Sequence, residues 1–280
     1  MTTPPTDEPE AQPAQEPADP AGWVGSNRDL WDRWTEVHTE SGFYGVEGFL
    51  QGESTLQSIE LDELVDVDGA SLLHLQCHFG LDTLSWARRG ARVTGVDLSP
   101  KAVESGRELA RQAGLDARFE ASDVLELELG ERFDIVFTSY GVLDWLHDLE
   151  TWGRVVARHL KPGGRFYIVE FHPVLGMLAD DGKSFANGYF APKKPIAYAE
   201  QGTYADPSAD VSGTSYTWNH SVAEILGALL GAGLRLDFFH EHDFSPYDCF
   251  PYTAEREPGK SYVPGLEGKV PMCFSLQARA

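Results

Sequence analysis

Glu170, Phe171, His172 and Pro173 close an apolar run, and strand alternation puts Glu170 and His172 on the same side. A carboxylate beside an imidazole is suited to proton transfer near neutral pH. His172 is therefore the candidate base or substrate-orienting group, with Glu170 beside it; the alternative is a strand-edge histidine bonded to a carbonyl. In Trp218-Asn219-His220, Trp218 can wall a pocket and His220 reach a substrate, or His220 or Ser221 can cap the helix that follows. Tyr140 and Trp145 stand between pocket wall and core. His240 and His242 share a strand face, as two metal ligands would. No third ligand is spaced to match, so the run reads as a solvated strand end and no metal is expected. No Ser/His/Asp nucleophile arrangement stands out, and no phosphate-binding loop is present.

These residues need elements to position them. Short apolar runs at Leu72–Cys77, Arg92–Asp97, Ala117–Ala121, Phe133–Ser139 and Arg165–Glu170 alternate with helical patterns at Leu81–Arg89, Pro100–Ala113 and Leu149–Leu160. A helix at Ser221–Ala232 and strands at Leu234–His240 and Pro271–Ala278 follow. The pattern predicts an α/β fold: a doubly wound, mostly parallel seven-stranded sheet with helices on both faces. Residues 21–66 read as a helical cap, with a helix over Ser26–His38 capped by Ser26 or Asn27 and another over Leu56–Leu64. Residues 174–217 show no clear period and read as a lid or substrate insert after the fifth strand. Its aromatics, with Trp31, Trp34, Phe43 and Tyr44 of the cap, are expected to close over a ligand or to dock the segments on the sheet. Residues 1–20 hold six prolines, five acids and no Lys or Arg, and read as a solvated tail ahead of one domain at 21–280.

In such a sheet, ligands bind at the carboxyl ends of the strands, where strand order reverses. The first of these ends is His74-Leu-Gln76-Cys77-His78-Phe-Gly80, with a single glycine. Asp97-Leu98 ends the second strand, where a carboxylate can accept both hydroxyls of a ribose or cap the helix at Ser99-Pro100. Ser122-Asp123-Val124 ends the third, suited to an adenine amino group and ring or to an ordinary cap. Ser139-Tyr140-Gly-Val-Leu-Asp-Trp145 follows the fourth.

Together with Lys161-Pro-Gly-Gly-Arg-Phe166, the most specific local match, these motifs resemble the class I S-adenosylmethionine (SAM)-dependent methyltransferases. The resemblance covers residues 70–172 and the helix and two strands after 220. It implies that SAM is the cofactor, with Gln76, His78 and Gly80 at its methionine end. Asp97 and Leu98 would then lie at the ribose, Asp123 and Val124 at the adenine, and Ser139 nearby. The substrate would meet Tyr140, Trp145, Glu170, Trp218 and His220, with His172 near the methyl group. The sequence departs from the family in the first loop: His74 and Gln76-Cys77-His78 stand where an acid and a glycine-cysteine-glycine turn are usual.

The chain has 280 residues and a formal charge of −22, from 44 acids against 22 bases. That balance opposes nucleic acid or an anionic membrane as partner and leaves a small molecule. Three scattered cysteines and the lack of a long apolar run point to a cytoplasmic protein. Arg outnumbers Lys, a composition resembling high-GC bacteria. The expected function is methyl transfer from SAM to a small-molecule acceptor. The alternatives are a SAM- or nucleoside-binding protein without transfer, and a nucleotide-dependent oxidoreductase, whose Gly-x-Gly-x-x-Gly turn is missing. Nothing in the sequence speaks to oligomeric state.

Overall fold

A computed structural model describes Pro17, residues 19–248 and residues 250–280. The expected tail therefore lies mostly outside the described residues. Pro17 and Asp19 belong to the start of α1 (Pro20–Glu40): Asp19 accepts from Gly22 N at 3.0 Å and Pro17 O accepts from Trp23 Nε1. Proline suits a first helical turn, where its missing N–H has no partner to lose. The helix thus begins earlier than its apolar spacing indicates, and Asp19, not Ser26 or Asn27, caps it. The short helices α2 (Val46–Leu50) and α3 (Ser58–Glu63) complete this segment.

The sheet begins with β1 (Ser71–Leu75), which ends before Cys77, and α4 (Leu81–Arg88). Then come β2 (Arg92–Asp97), α5 (Pro100–Ala113), β3 (Ala117–Ala121), β4 (Phe133–Ser139), α6 (Leu149–His159) and β5 (Leu160–Phe171). After an insertion holding β6 (Ile196–Gln201) and β7 (Ser212–Thr217), the chain adds α7 (Val222–Gly231) and β8 (Arg235–His242). A small hairpin, β9 (Ala254–Glu257) and β10 (Lys260–Tyr262), precedes the last strand, β11 (Cys273–Arg279).

The strand order is β3-β2-β1-β4-β5-β11-β8, with β11 antiparallel to both neighbours and the other pairs parallel. Order reverses between β1 and β4, so a crevice must open where their carboxyl ends diverge. Helices cover both faces. Trp152, Val155 and Val156 of α6 pack with Ile225 and Leu229 of α7 on Val136, Ile168 and Leu276. Trp86 of α4 and Ile59 of α3 pack on Ile135, Phe137 and Tyr167 from the other side. Ile135–Phe137 are wholly buried for that reason, giving the unbroken apolar run of a two-sided strand. Gly153 lets α6 touch α7: a Cβ there would lie 2.5 Å from Ala228 O.

The insertion is not irregular throughout. β6 and β7 pair antiparallel from Ile196↔Thr217 to Gln201↔Ser212. Most β6 side chains stay at least partly exposed, so no alternating apolar signal marks the strand. Ser26 and Asn27, the expected caps, instead tie α1 to this hairpin. Ser26 Oγ donates to Thr214 O at 2.8 Å, while Asn27 pairs both ways with the Tyr216 backbone at 2.8 and 2.9 Å. Trp34 Nε1 adds a bond to Gly202 O. Among the described residues no helix is long and apolar enough to cross a membrane.

Candidate active site

A cavity of about 990 Å³ opens at the carboxyl ends of β1, β2, β3 and β4, under the roof made by α1 and the β6–β7 hairpin. It lies at the top of the range for small-molecule sites, about 300–1,000 Å³. All the candidate residues drawn from the sequence line it, from Gln76 and His78 through His172 to Trp218 and His220.

The floor is built on backbone that side chains rarely adopt. Gln76, His78 and Tyr140 are the non-glycine residues with positive φ among the described residues, at 55°, 50° and 26°, and each lines the cavity. Such conformations persist where surrounding bonds over-determine them. Gln76 Nε2 donates to Val142 O at 2.9 Å, His78 N donates to Asp97 Oδ2 at 2.7 Å, and Tyr140 N donates to Val169 O at 2.8 Å. The His78 ring meets His38 Nδ1 at 2.9 Å; burial pushes His38 down to about 4 and His78 lower than its usual range. Both rings are neutral, one donating and one accepting. Gly80, also at positive φ, caps α4, and a Cβ there would sit 2.4 Å from the Phe119 ring. Packing thus explains this glycine. His74 is buried and bonded to Thr83 Oγ1 at 2.8 Å.

Asp97 accepts one backbone N–H on each oxygen, from His78 and from Ser99 at 2.9 Å, and burial pushes it up to about 6. Each oxygen keeps a lone pair for a ligand hydroxyl. Leu98 lines the cavity beside it. Asp123 caps the turn at Val124–Glu126 through Leu125 N, and Val124 lies buried at the cavity wall. Ser139 Oγ donates to Asp82 Oδ2 at 3.2 Å, and Thr55 Oγ1 donates to the other Asp82 oxygen at 2.5 Å. Asp82 lines the same floor, raised by burial, and has no signal in the sequence beyond its place in a helical first turn.

The opposite wall corrects several expectations. Glu170 is 3% exposed and accepts from Gly141, Val142, Leu143 and Phe171 N–H groups. Four donors fill the four lone-pair positions of a carboxylate. It anchors the loop after β4 and has no capacity left for a substrate. His172 has Nδ1 accepting from Val174 N at 3.2 Å and Nε2 3.1 Å from Glu241 Oε1, and burial lowers its pKa. Nδ1 is thus engaged by hydrogen bonding, while Nε2 stands at ion-pair distance from Glu241 without hydrogen-bond geometry. His220 Nε2 donates to Leu146 O at 2.7 Å, while Ser221 and Glu224 form the capping box of α7. Tyr140 gives its hydroxyl to Glu60 Oε2 at 2.9 Å and offers the cavity only its ring. Phe185 and Phe190, expected to close the pocket, are 72% and 75% exposed and do not line it. His240 and His242 turn to different partners, Glu63 and Ser275.

Those anchors converge on a residue the sequence reading passed over. Asp144 sits in the turn Leu143–Trp145, held by Glu170 at Leu143 N, by His220 at Leu146 O, and by Trp218 N donating to Asp144 O at 2.8 Å. Asp144 is solvent-exposed and lines the cavity, and no described residue donates a hydrogen bond to its carboxylate. Burial, and then the Glu170 charge, push it up to about 7. A carboxylate poised near neutrality, open to a cavity and without a partner, is equipped to take a proton from whatever occupies that space.

The family described as "Methyltransferase domain" matches residues 72–164. A ubiquinone biosynthesis O-methyltransferase from Pseudomonas entomophila is 30% identical over 169 residues, covering 56% of this chain and 72% of the relative. The enzyme of the same name from Methylobacterium nodulans is 26% identical over 207 residues, covering 73% and 75%. Among solved structures, SAM-dependent methyltransferases from Mesorhizobium loti and Clostridium acetobutylicum superpose with TM-scores of 0.51 and 0.53 at 20% and 14% identity. They cover 82% and 91% of this chain, and 100% and 98% of their own.

Proposed function

The chain belongs to the class I SAM-dependent methyltransferases, and from that premise we propose that it methylates a small molecule in the roofed part of the cavity, with Asp144 receiving the acceptor's proton. The observation that carries this reading is Asp144 itself, open to the cavity, without a hydrogen-bond donor among the described residues, and raised to about 7.

The floor fits the cofactor. Asp97 keeps two lone pairs suited to the ribose hydroxyls, and Val124 with Asp123 suits adenine. Gln76, His78 and Asp82 stand where the methionine end would lie. With no acid at position 74, the Asp82 carboxylate is the group suited to the methionine ammonium. When bound, SAM supplies an electrophilic methyl on a sulfonium.

The protein's own work is then positioning, exclusion of water and removal of a proton. Asp144, deprotonated above about pH 7, takes the proton from the acceptor's nucleophilic atom. Glu170, His220 and Trp218 hold the turn that aims it. Trp31, Trp34 and Trp145, whose ring centroids lie 5.1 to 6.1 Å apart, wall the space. Residues 174–217 serve as the lid, tied to α1 by the Asn27 pair and to the turn after α1 by the Tyr44–Tyr204 hydroxyl contact. The buried free thiols of Cys77 and Cys273 support a cytoplasmic setting.

Calorimetric titration with SAM, S-adenosylhomocysteine and NAD(H) tests the cofactor. Micromolar binding of the first two and none of the third is expected; the reverse would make the protein an oxidoreductase. Asp144→Asn tests the base: cofactor affinity should persist while turnover collapses. Tight cofactor binding with no turnover on any acceptor would favour a binding protein.

A further inference from the structure

The cavity carries an excess of one charge that the cofactor floor does not explain. No Lys or Arg is among its lining residues. On the roof side, Asp144 is joined by Asp180 and by Glu200 of β6, which accepts from Ser215 Oγ at 2.5 Å. All three carboxylates act electrostatically on the Tyr198 phenol, which also lines the cavity, so they converge on one region. Acids lining a shared space favour a cation among them. The protein provides none there.

The remaining wall is aromatic. Trp145 and Trp218 flank Asp144, the first in sequence and the second through its N–H bond to Asp144 O, and Tyr198 lines the same cavity. The faces of such rings attract a positive charge, most strongly where water is scarce. Carboxylates and aromatic faces together are the chemistry that recognises an organic ammonium ion. An acidic phenol or a carboxylate acceptor would meet like charge instead.

We infer that the methyl acceptor is an amine that enters as its ammonium form, steered by Asp180 and Glu200 and delivered to Asp144. This rests on the methyltransferase reading and deepens it. The ammonium passes one N–H proton to the Asp144 carboxylate. The freed nitrogen lone pair forms the N–C bond to the cofactor's methyl while the S–C bond breaks and leaves its electrons on sulfur. The product is an N-methylammonium ion, and the proton leaves Asp144 for solvent.

The test uses the full chain saturated with S-adenosylhomocysteine and two matched sets of probes: tryptamine, tryptophol and indole-3-acetate, and 2-phenylethylamine, 2-phenylethanol and phenylacetate. In calorimetry the amine of at least one set should bind about tenfold tighter than its alcohol, and neither acid should bind. The pair Asp180→Asn with Glu200→Gln should cut the amine-over-alcohol ratio at least threefold, with melting temperature and S-adenosylhomocysteine affinity unchanged. Asp144→Asn should cut the ratio by at least as much, again with S-adenosylhomocysteine affinity unchanged. Alcohols binding as well as amines, or no amine binding to the saturated protein, overturns the inference and leaves the methyltransferase reading intact. Failure of S-adenosylhomocysteine to bind overturns that reading, and the inference with it.

Discussion

The floor and the roofed wall of the cavity are both rich in carboxylates, but the two sets are treated differently. On the floor, Asp97, Asp123 and Asp82 accept hydrogen bonds from neighbouring backbone or hydroxyl groups. On the wall, Glu170 is saturated by four N–H groups, while Asp144 has none. Carboxylates that already accept protein hydrogen bonds hold geometry: their orientation is set before a ligand arrives. An unsatisfied one, raised to about 7, is the group whose state an occupant can change. On the proposed reading, the floor is pre-organised for the cofactor and the wall is left incomplete for the chemistry.

The sharpest way to break that comparison is Asp144→Asn. Turnover should fall by about 10²–10⁴-fold, the usual contribution of a positioned base, with the SAM dissociation constant within threefold of the native value. Native kcat should rise with pH to a plateau above about 7, and the variant should lose that limb. Stability should move the other way. Because the folded pKa is raised, the folded chain holds a proton that the unfolded chain has released between about pH 4 and 7. Stability from this group therefore falls as pH rises through that window. The variant should melt above the native protein at pH 8, with the gap closing by pH 4. Glu170 and Tyr198 are the titratable neighbours coupled to it, and both stay in place in the variant.

Glu170→Gln tests the saturated partner. One amide oxygen cannot serve four N–H groups, so two lose their acceptor in a buried setting. The cost should be about 3 kcal/mol, seen as a fall of roughly 6–12 °C in melting temperature. Activity should drop about tenfold or more because the turn carrying Asp144 loosens. A variant that keeps its stability but loses substrate affinity would return Glu170 to the role of a binding group. On the floor, Asp97→Ala should weaken SAM about tenfold, the scale of a lost charge-assisted pair, and leave kcat at saturating cofactor nearly unchanged. Unchanged affinity would remove Asp97 from the ribose.

What could be read beforehand follows the same division. The mostly parallel seven-stranded sheet and the positions that line the cavity floor were legible because each depends on short-range pattern: apolar runs and residues directly after a strand. Asp97 and Asp123 could be found by position alone. The wall depends on contacts between distant segments. Asp144 stands out because residues of α1 and the β6–β7 hairpin line the same cavity, and Glu170 is spent because the loop at 141–143 turns back onto it. Neither fact has a local trace. The hairpin escaped for the same reason, since its exposed strands carry no apolar alternation, and Ser26 and Asn27 looked like caps until the hairpin claimed them. Positive φ at Gln76 and His78 was hidden by residue type, because neither is a glycine.

At His172 the position was legible in the sequence, and the proposed role turns on the ring atoms. It lines the cavity, as strand alternation requires, but a base needs a lone pair directed at the acceptor. Nδ1 spends its lone pair on Val174 N–H, and the neutral ring then carries its proton on Nε2, toward Glu241. Burial lowers its pKa, so this neutral form prevails at pH 7. An asparagine can supply an oxygen near the Nδ1 position. His172→Asn should therefore keep kcat and KM within threefold and leave SAM affinity alone, while the melting temperature falls by a few degrees from lost packing. It is the smallest effect expected at any of these positions, and the most diagnostic in reverse. A tenfold loss of kcat in a variant with native stability would mean that the ring turns toward the acceptor during the reaction, and that proton removal is shared between His172 and Asp144.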